Sequence, residues 1–291
     1  MDVTHQTLFE NRTLQIGLFE ARNVLAKVGD VERQDSNVIV LPFSGVFSKH
    51  DAPGRHVIGT PSHAVLIAAG TPYRLGYPGA IGDRALILRF DGAVAPDDLD
   101  RRGEAYRSNG LLPAEAMVLR NLLRARLASE ADEFESEARG LDLLAMSLCA
   151  MRAGDAPMRG GVEPRRARAL ERVKQAVAVA PAAKWTVEKL ARVAGLSPFH
   201  LCRVFRRMTG TSIYDYVLRE RLASTLDAVL DGEDLMTVAL EAGFASHSHF
   251  TARFRRFFGC TPAALRRHGN AGAAGKLRKI VTARNSDIVL D

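Results

Sequence analysis

The sequence predicts an α+β chain in two parts. A strand-rich N-terminal domain of small-barrel or jelly-roll type carries an αα-hairpin, and an all-α C-terminal domain follows. Three observations predict it. Residues 9–90 break into short apolar runs between turn residues, residues 190–267 hold one helical unit written twice, and a Gly/Pro-rich stretch separates the two regions. With 291 residues the chain is long enough for two domains with cores of their own.

The clearest strand signals are Val38-Ile39-Val40-Leu41, Gly45-Val46-Phe47-Ser48, Ala64-Val65-Leu66-Ile67-Ala68 and Ala85-Leu86-Ile87-Leu88-Arg89-Phe90. Between them, Ala52-Pro53-Gly54, Thr60-Pro61-Ser62, Tyr77-Pro78-Gly79 and Ile81-Gly82-Asp83 carry turn chemistry. Many short strands at spacings of roughly 8–15 residues suit a barrel or jelly roll, whose interior can hold a small molecule. His50, His63, Tyr73 and Arg74 are the candidate ligand contacts here, though each also reads as an ordinary strand-end polar residue. His50, His56 and His63 lack the close His-x-His pairing with a carboxylate that a metal on facing strands wants, and only Asp51 lies near. No metal and no cofactor are expected.

Pro113 opens a helical region. Leu119, Leu122, Leu123 and Leu127 share one face; after the acidic stretch from Ser129 to Glu137, so do Leu141, Leu144, Ala145, Leu148 and Met151. This αα-hairpin can pack on its own sheets, expose a seam for a second subunit, or both. Ala153-Gly154-Asp155-Ala156-Pro157 through Gly160-Gly161-Val162-Glu163-Pro164 is linker chemistry. The expected division is therefore a strand-rich domain with its helical hairpin at 1–152, a linker at 153–165, a helical domain at 166–270, and a poorly ordered tail at 271–291.

The helical domain carries the duplication. Leu190-Ala191-Arg192-Val193-Ala194-Gly195-Leu196 recurs as Val238-Ala239-Leu240-Glu241-Ala242-Gly243-Phe244. Past the glycine, Ser197 answers to Ser246, Leu201 to Phe250, Phe205-Arg206-Arg207 to Phe254-Arg255-Arg256, and Gly210 to Gly259. Each copy reads as helix, tight turn, helix. Gly195 and Gly243 stop the first helix; Ser197 before Pro198, and Ser246 in the second copy, cap the next. Behind the caps, Leu201, Val204, Phe205 and Met208, then Phe250, Phe254, Phe257 and Phe258, keep one apolar face. The opposite faces carry Phe199, Cys202, Arg203, Arg206 and Arg207, then Ser248, Thr251, Ala252, Arg255 and Arg256. A greasy back and a basic front on a helix–turn suit the DNA major groove. An all-helical bundle with solvated arginines explains one copy but not two.

Charge agrees with this. Residues 165–270 carry 18 Lys+Arg against 9 Asp+Glu, whereas residues 1–164 carry 18 against 22, so the basic excess lies where a phosphate-binding surface needs it. No run approaches the ~18 apolar residues of a membrane span, and the N-terminus lacks a basic-then-apolar signal. Cys149, Cys202 and Cys260 are scattered and odd in number. A cytoplasmic location is expected, with no membrane partner.

Residues 168–268 resemble the DNA-binding domain of the AraC/XylS family of transcription regulators. The resemblance rests on Gly195-Leu196-Ser197, Arg203-Val204-Phe205-Arg206-Arg207, Gly210-Thr211-Ser212, Tyr216, Arg219 and Arg221-Leu222-Ala223. It continues in Ala242-Gly243-Phe244, Ser246, Ser248-His249-Phe250, Phe254-Arg255-Arg256, Gly259 and Thr261-Pro262. Ala252 departs from the pattern, since the family often places arginine there. The second recognition helix then either reads bases through His247, Ser248 and Thr251 or mainly holds phosphate. The resemblance implies a cupin-like N-terminal barrel, a homodimer, double-stranded DNA and RNA polymerase as partners, a small-molecule effector, and activation of transcription. A helix over 212–230, roughly 27 Å at ~1.5 Å per residue, joins the two units and suits successive major grooves. The alternative is a cupin-type metal enzyme with an accessory helical domain; against it stand the missing ligand constellation and the absence of any nucleophile–base arrangement or phosphate-binding glycine loop.

Overall fold

The computed structural model describes residues 2–52, 55–92, 94–96, 99, 106–127, 132–152 and 164–270. The expected linker up to residue 163, the tail from Ala271, residues 128–131 of the acidic stretch, and Pro53-Gly54 lie outside the described residues. Among the described residues nine strands come first: β1 Asp2–Glu10, β2 Leu14–Arg22, β3 Asn37–Gly45, β4 Phe47–Ala52, β5 Arg55–Gly59, β6 His63–Ile67, β7 Arg74–Gly76, β8 Asp83–Phe90 and β9 Asn109–Leu111. The helices are α1 Ala114–Leu127, α2 Glu133–Met151, α3 Pro164–Val179, α4 Val187–Ala194, α5 Pro198–Thr209, α6 Ile213–Ser224, α7 Leu226–Leu230, α8 Leu235–Glu241, α9 His247–Phe258 and α10 Pro262–Asn270.

The strands form two antiparallel sheets, a six-stranded one in the order β1-β2-β8-β3-β6-β9 and a three-stranded one in the order β5-β4-β7. Of barrel and jelly roll, the chain takes the double-sheet form. Alternation decides what each face meets. From β3, β6 and β8, the set Ile39, Leu41, Phe43, Ala64, Leu66, Leu86, Leu88 and Phe90 packs on α1 and α2. The intervening Val38, Val40, Val65, Ile67, Ala85 and Ile87 face Phe47, Tyr73 and Tyr77 on the other side. These central strands are buried on both faces and so read as unbroken apolar runs. β1 and β2 form a hairpin, outside most of the strand signal, closed at Asn11, whose Oδ1 accepts from Thr13 N at 3.0 Å and Leu14 N at 2.9 Å.

α2 lies close on β2: a Cβ on Gly140 would come within 2.6 Å of Leu14 and 2.7 Å of Ile16. Its buried face is Ser136, Gly140, Leu143, Leu144, Ser147, Leu148 and Met151. The expected stripe is rotated: Ala145 is exposed and Leu141 half-buried, because the small residues Gly140 and Ser147 let the helix seat one position over. α1 buries Leu122 and Leu123 as expected and also Arg120 and Asn121, since α7, α9 and α10 cover its second side.

The expected single helix over 212–230 is broken into α6 and α7. Thr225 donates its hydroxyl to Leu222 O at 2.8 Å, and Ser224 donates to Arg221 O at 2.9 Å; such back-bonding competes with the helical ladder. The first helical unit has a core of its own, built from α3–α6 around Leu190, Leu201, Phe205 and Tyr216. The second unit, around Phe244, Phe250, Phe254 and Leu265, runs without interruption into the core beneath α1 and the six-stranded sheet.

Candidate nucleic-acid interface

Local sequence builds the two helical units alike. In the first, Gly195 ends α4 at φ 67°, and Leu196 N donates to Ala191 O at 3.0 Å. In the second, Gly243 follows α8 at φ 79°, and Phe244 N donates to Ala239 O at 2.9 Å. This pairing of left-handed glycine with a bond back across the last turn is the Schellman arrangement. It places Leu196 and Phe244, the residues after the glycine, against the core. Gly243 has a second constraint: a Cβ there would lie 2.6 Å from Ala182 O. Ser197 Oγ then accepts from His200 N at 3.3 Å to start α5, and Ser246 Oγ accepts from His249 N at 3.1 Å to start α9. Gly210 at φ 74° and Gly259 at φ 80° end both helices.

The apolar backs are buried as the periodicity requires: Leu201, Val204 and Phe205 on α5, and Phe250, Phe254 and Phe258 on α9. On α5, Cys202, Arg203, Arg206 and Arg207 are exposed and Phe199 is 79% exposed. Phe199 thus stands in water at the front of a capped basic helix. On α9, Ser248, Arg255 and Arg256 are exposed, while His247 and Thr251 are half-buried and lie 3.4 Å apart between ring Nε2 and Oγ1. Arg253 Nε donates to His249 Nε2 at 3.3 Å, which holds it to the flank. The front of α9 is thus less basic than that of α5.

Beside the first turn, Arg165, Arg166, Arg172 and His200 line a concavity of about 280 Å³ together with Gly195 and Leu196. Arg172 caps α4, donating to Val193 O at 3.1 Å and Ala194 O at 2.8 Å. Arg165 and Arg166 belong to the run Arg165-Arg166-Ala167-Arg168, a basic signal outside the duplicated units.

The four residues expected to touch a small molecule do not converge. A cavity of about 280 Å³ between the two sheets is lined by His5, Phe19, Glu32, Gln34, Phe47, Tyr73, Tyr77, Asp83 and Arg89, among others, and holds only Tyr73 of the four. His50 stacks on His56 with ring centroids 5.0 Å apart, and its Nε2 lies 2.9 Å from Ser48 Oγ; burial lowers its pKa. Arg74 is exposed on β7. His63 is buried in the contact between the sheets and α6. There Thr60 donates to Glu220 Oε1 at 2.7 Å, Ser62 donates to the same oxygen, and His63 Nδ1 lies 2.7 Å from Thr60 Oγ1. With the Thr60 proton given to Glu220, His63 carries its own proton on Nδ1 and donates to Thr60. Burial keeps His63 well below its ordinary pKa, hence neutral. Burial also raises the Glu220 carboxyl, with the hydroxyls of Ser62 and Thr60 pulling the other way. Further contacts tie the halves together: Ile58 N donates to Glu171 Oε2 at 2.9 Å, Asn121 Nδ2 to Asp227 Oδ1 at 2.7 Å, and Arg124 Nη2 to Asp231 Oδ1 at 2.8 Å. Among the described residues, no three His, Cys, Asp or Glu group as a metal site requires, and no helix is long and apolar enough to cross a membrane.

Two capped helix–turn–helix units with basic outer faces, appended to a double-sheet domain with a cavity between its sheets, define a DNA-binding regulator class. The sequence of the helical domain matches known proteins of that class. A helix-turn-helix domain family matches residues 190–268. The probable transcription factor PqrA of Proteus vulgaris is 31% identical over 84 residues, which are 28% of this chain and 69% of PqrA. The virulence regulon transcriptional activator VirF of Yersinia enterocolitica is 34% identical over 83 residues, 28% of this chain and 31% of VirF. Among solved structures, ToxT from Vibrio cholerae bound to an unsaturated fatty acid aligns over 91% of this chain and 98% of ToxT, at 12% identity and a TM-score of 0.36. The chain belongs to the AraC/XylS family of transcription regulators.

Proposed function

We propose that the protein is an effector-responsive transcription activator. In this reading α5 and α9 enter successive major grooves, and a small molecule between the two sheets sets how the halves sit together. The observation that carries it is the shared construction of the two units, with the same glycine stop and serine cap presenting Phe199, Cys202, Arg203, Arg206 and Arg207 outward on α5. Arg203 is assigned to a guanine edge, Phe199 to a thymine methyl, and Arg206, Arg207, Arg255 and Arg256 are divided between phosphates and bases. His247, Ser248 and Thr251 are assigned to the second groove with a smaller share of base readout, because α9 has Ala252 where α5 has Arg203.

An effector shifts the balance between two arrangements only through its differential affinity for them. The continuity of the second unit's core with α1 and the six-stranded sheet makes that unit the one through which the sensing domain acts. Residues 1–152 are assigned to sensing and dimerisation and residues 166–270 to DNA. The cleft on α2 lined by Leu141, Leu144, Ala145 and Leu148 with Val94, Pro96 and Tyr106 is assigned to the homodimer seam. RNA polymerase is the activating partner, the location is cytoplasmic, and no catalysis is assigned. The test is footprinting of the full-length protein on a selected operator. Protection of two blocks on one DNA face, with the α5-side block lost in Arg203→Ala/Arg206→Ala, supports the reading. One block, or an unchanged footprint in the variant, overturns it.

A further inference from the structure

The cavity between the sheets is lined by one buried carboxyl, one of whose oxygens no described residue bonds. Asp83, the first residue of β8, is 3% exposed, its Oδ1 has no hydrogen-bond partner, and among the described residues no ion pair reaches it. A carboxylate buried in that way is costly unless something pairs with it. Asp83 is one of the lining residues, and on β8 it shares a face with Ala85, Ile87 and Arg89.

Arg89 does not serve as its partner. Six residues along an extended strand place it roughly 20 Å away at the Cα, and its guanidinium is already engaged. Arg89 Nη1 donates to Gln34 Oε1 at 2.7 Å, Gln34 Nε2 donates to Tyr73 OH at 2.7 Å, and Tyr73 donates in turn to Glu32 Oε2 at 3.0 Å. The Arg89 end of the cavity thus holds a cation and an anion joined through two neutral groups, with His5 beside them. The Asp83 end holds a lone carboxyl, which burial alone pushes up to about 7. Between the ends the walls are the rings of Phe19, Phe47, Tyr73 and Tyr77 with Val40 and Ile87.

We propose that this cavity takes a small organic cation, a primary amine or guanidinium whose N–H groups donate to Asp83 and whose carbon skeleton lies against Phe47 and Tyr77. Electron-rich ring faces favour a cation, and a charge-assisted bond gives the Asp83 carboxylate a cationic partner. A quaternary ammonium has no N–H for that carboxylate, and a carboxylate ligand would set a second negative charge against Asp83. The volume, about 280 Å³, lies at the lower end of small-molecule sites, which start near ~300 Å³, so the ligand is of metabolite size. The inference rests on the reading of the N-terminal domain as the effector sensor.

The test is calorimetric titration of the full-length protein at pH 8. The amines are phenethylamine, agmatine and cyclohexylmethylamine, and the matched non-cations are 3-phenylpropionate and 3-phenylpropanol. The expected result is binding by at least one amine, at least tenfold tighter than 3-phenylpropionate and 3-phenylpropanol. Asp83→Asn, which keeps the shape and removes the charge, should weaken it at least tenfold while leaving operator affinity without ligand unchanged. Absence of binding by every amine, equal binding by the acid, or amine binding indifferent to Asp83→Asn overturns the proposal. Acid or alcohol binding that disappears when Ile87→Trp fills the cavity overturns the cation class but leaves the sensor reading standing. An amine that binds through Asp83 without altering operator affinity supports the site and overturns the sensor reading.

Discussion

Replacing Asp83 by Asn gives a pH signature whose size follows from burial. The carboxyl is pushed from an ordinary 3.8 up to about 7 in the folded chain. A carboxyl with a raised pKa binds more protons folded than unfolded, so stability falls as pH rises from about 4 to about 7 and levels off above. A difference of about 3 units at ~1.36 kcal/mol per unit gives a penalty of about 4 kcal/mol at pH 8. Asn carries no such penalty; it buries an amide whose own unmet bonds cost ~1–3 kcal/mol at every pH. The variant should therefore be less stable than wild type near pH 4 and overtake it by pH 8, with the difference between the two proteins changing by about 4 kcal/mol. Urea unfolding followed by circular dichroism at half-unit pH steps measures it. A difference that stays constant with pH would refute the assignment of Asp83 as an unpaired buried carboxyl.

Arg203→Ala should relax preference at one base pair by ~1–3 kcal/mol in a binding-site selection; an unchanged preference would leave Arg203 as a phosphate contact. Gly243→Ala should cost about 2–4 kcal/mol in thermal or urea unfolding, from left-handed strain and the approach of its Cβ to Ala182 O, whereas Gly210→Ala, with open space around it, should cost only the strain. Thr60→Ala removes one of the hydroxyls that satisfy the buried Glu220 and should cost ~1–3 kcal/mol. Hydrogen exchange should then rise in α6 and in 58–63 together; a rise in one alone would mean the two do not act as a unit.

How legible each feature is in the sequence follows from how local it is. Gly195, Ser197, Gly243 and Ser246 are caps whose partners lie within five residues, so local sequence alone places the helix–turn–helix units. β3, β6 and β8 are visible because burial on both faces leaves no polar interruption. β1 and β5 are strands by virtue of their neighbours: β1, Asp-Val-Thr-His-Gln-Thr-Leu-Phe-Glu, is mostly exposed and owes its conformation to β2. Arg120 and Asn121 occupy what reads as the solvent side of α1, but Arg120 is held by Pro42 O and Pro61 O of the sheet domain and Asn121 by Asp227 of α7. The same distance hides the meeting of Thr60, Ser62 and His63 with Glu220, some 160 positions on, and so His63 reads as a ligand contact when it is a contact between halves. Asp83 reads as part of a Gly-Asp turn. Only the fold of β4, β7 and the Glu32 segment around it makes it the floor of a cavity.

Binding-site selection from random duplexes at physiological salt decides whether the two helix–turn–helix units read DNA together. The expected result is an asymmetric motif of two blocks about one helical turn, ~10 base pairs, apart, with stronger base preference in the block bound by α5 than in that bound by α9. Retention without a motif, falling steeply as salt rises, would reduce the basic face to phosphate binding and contradict it.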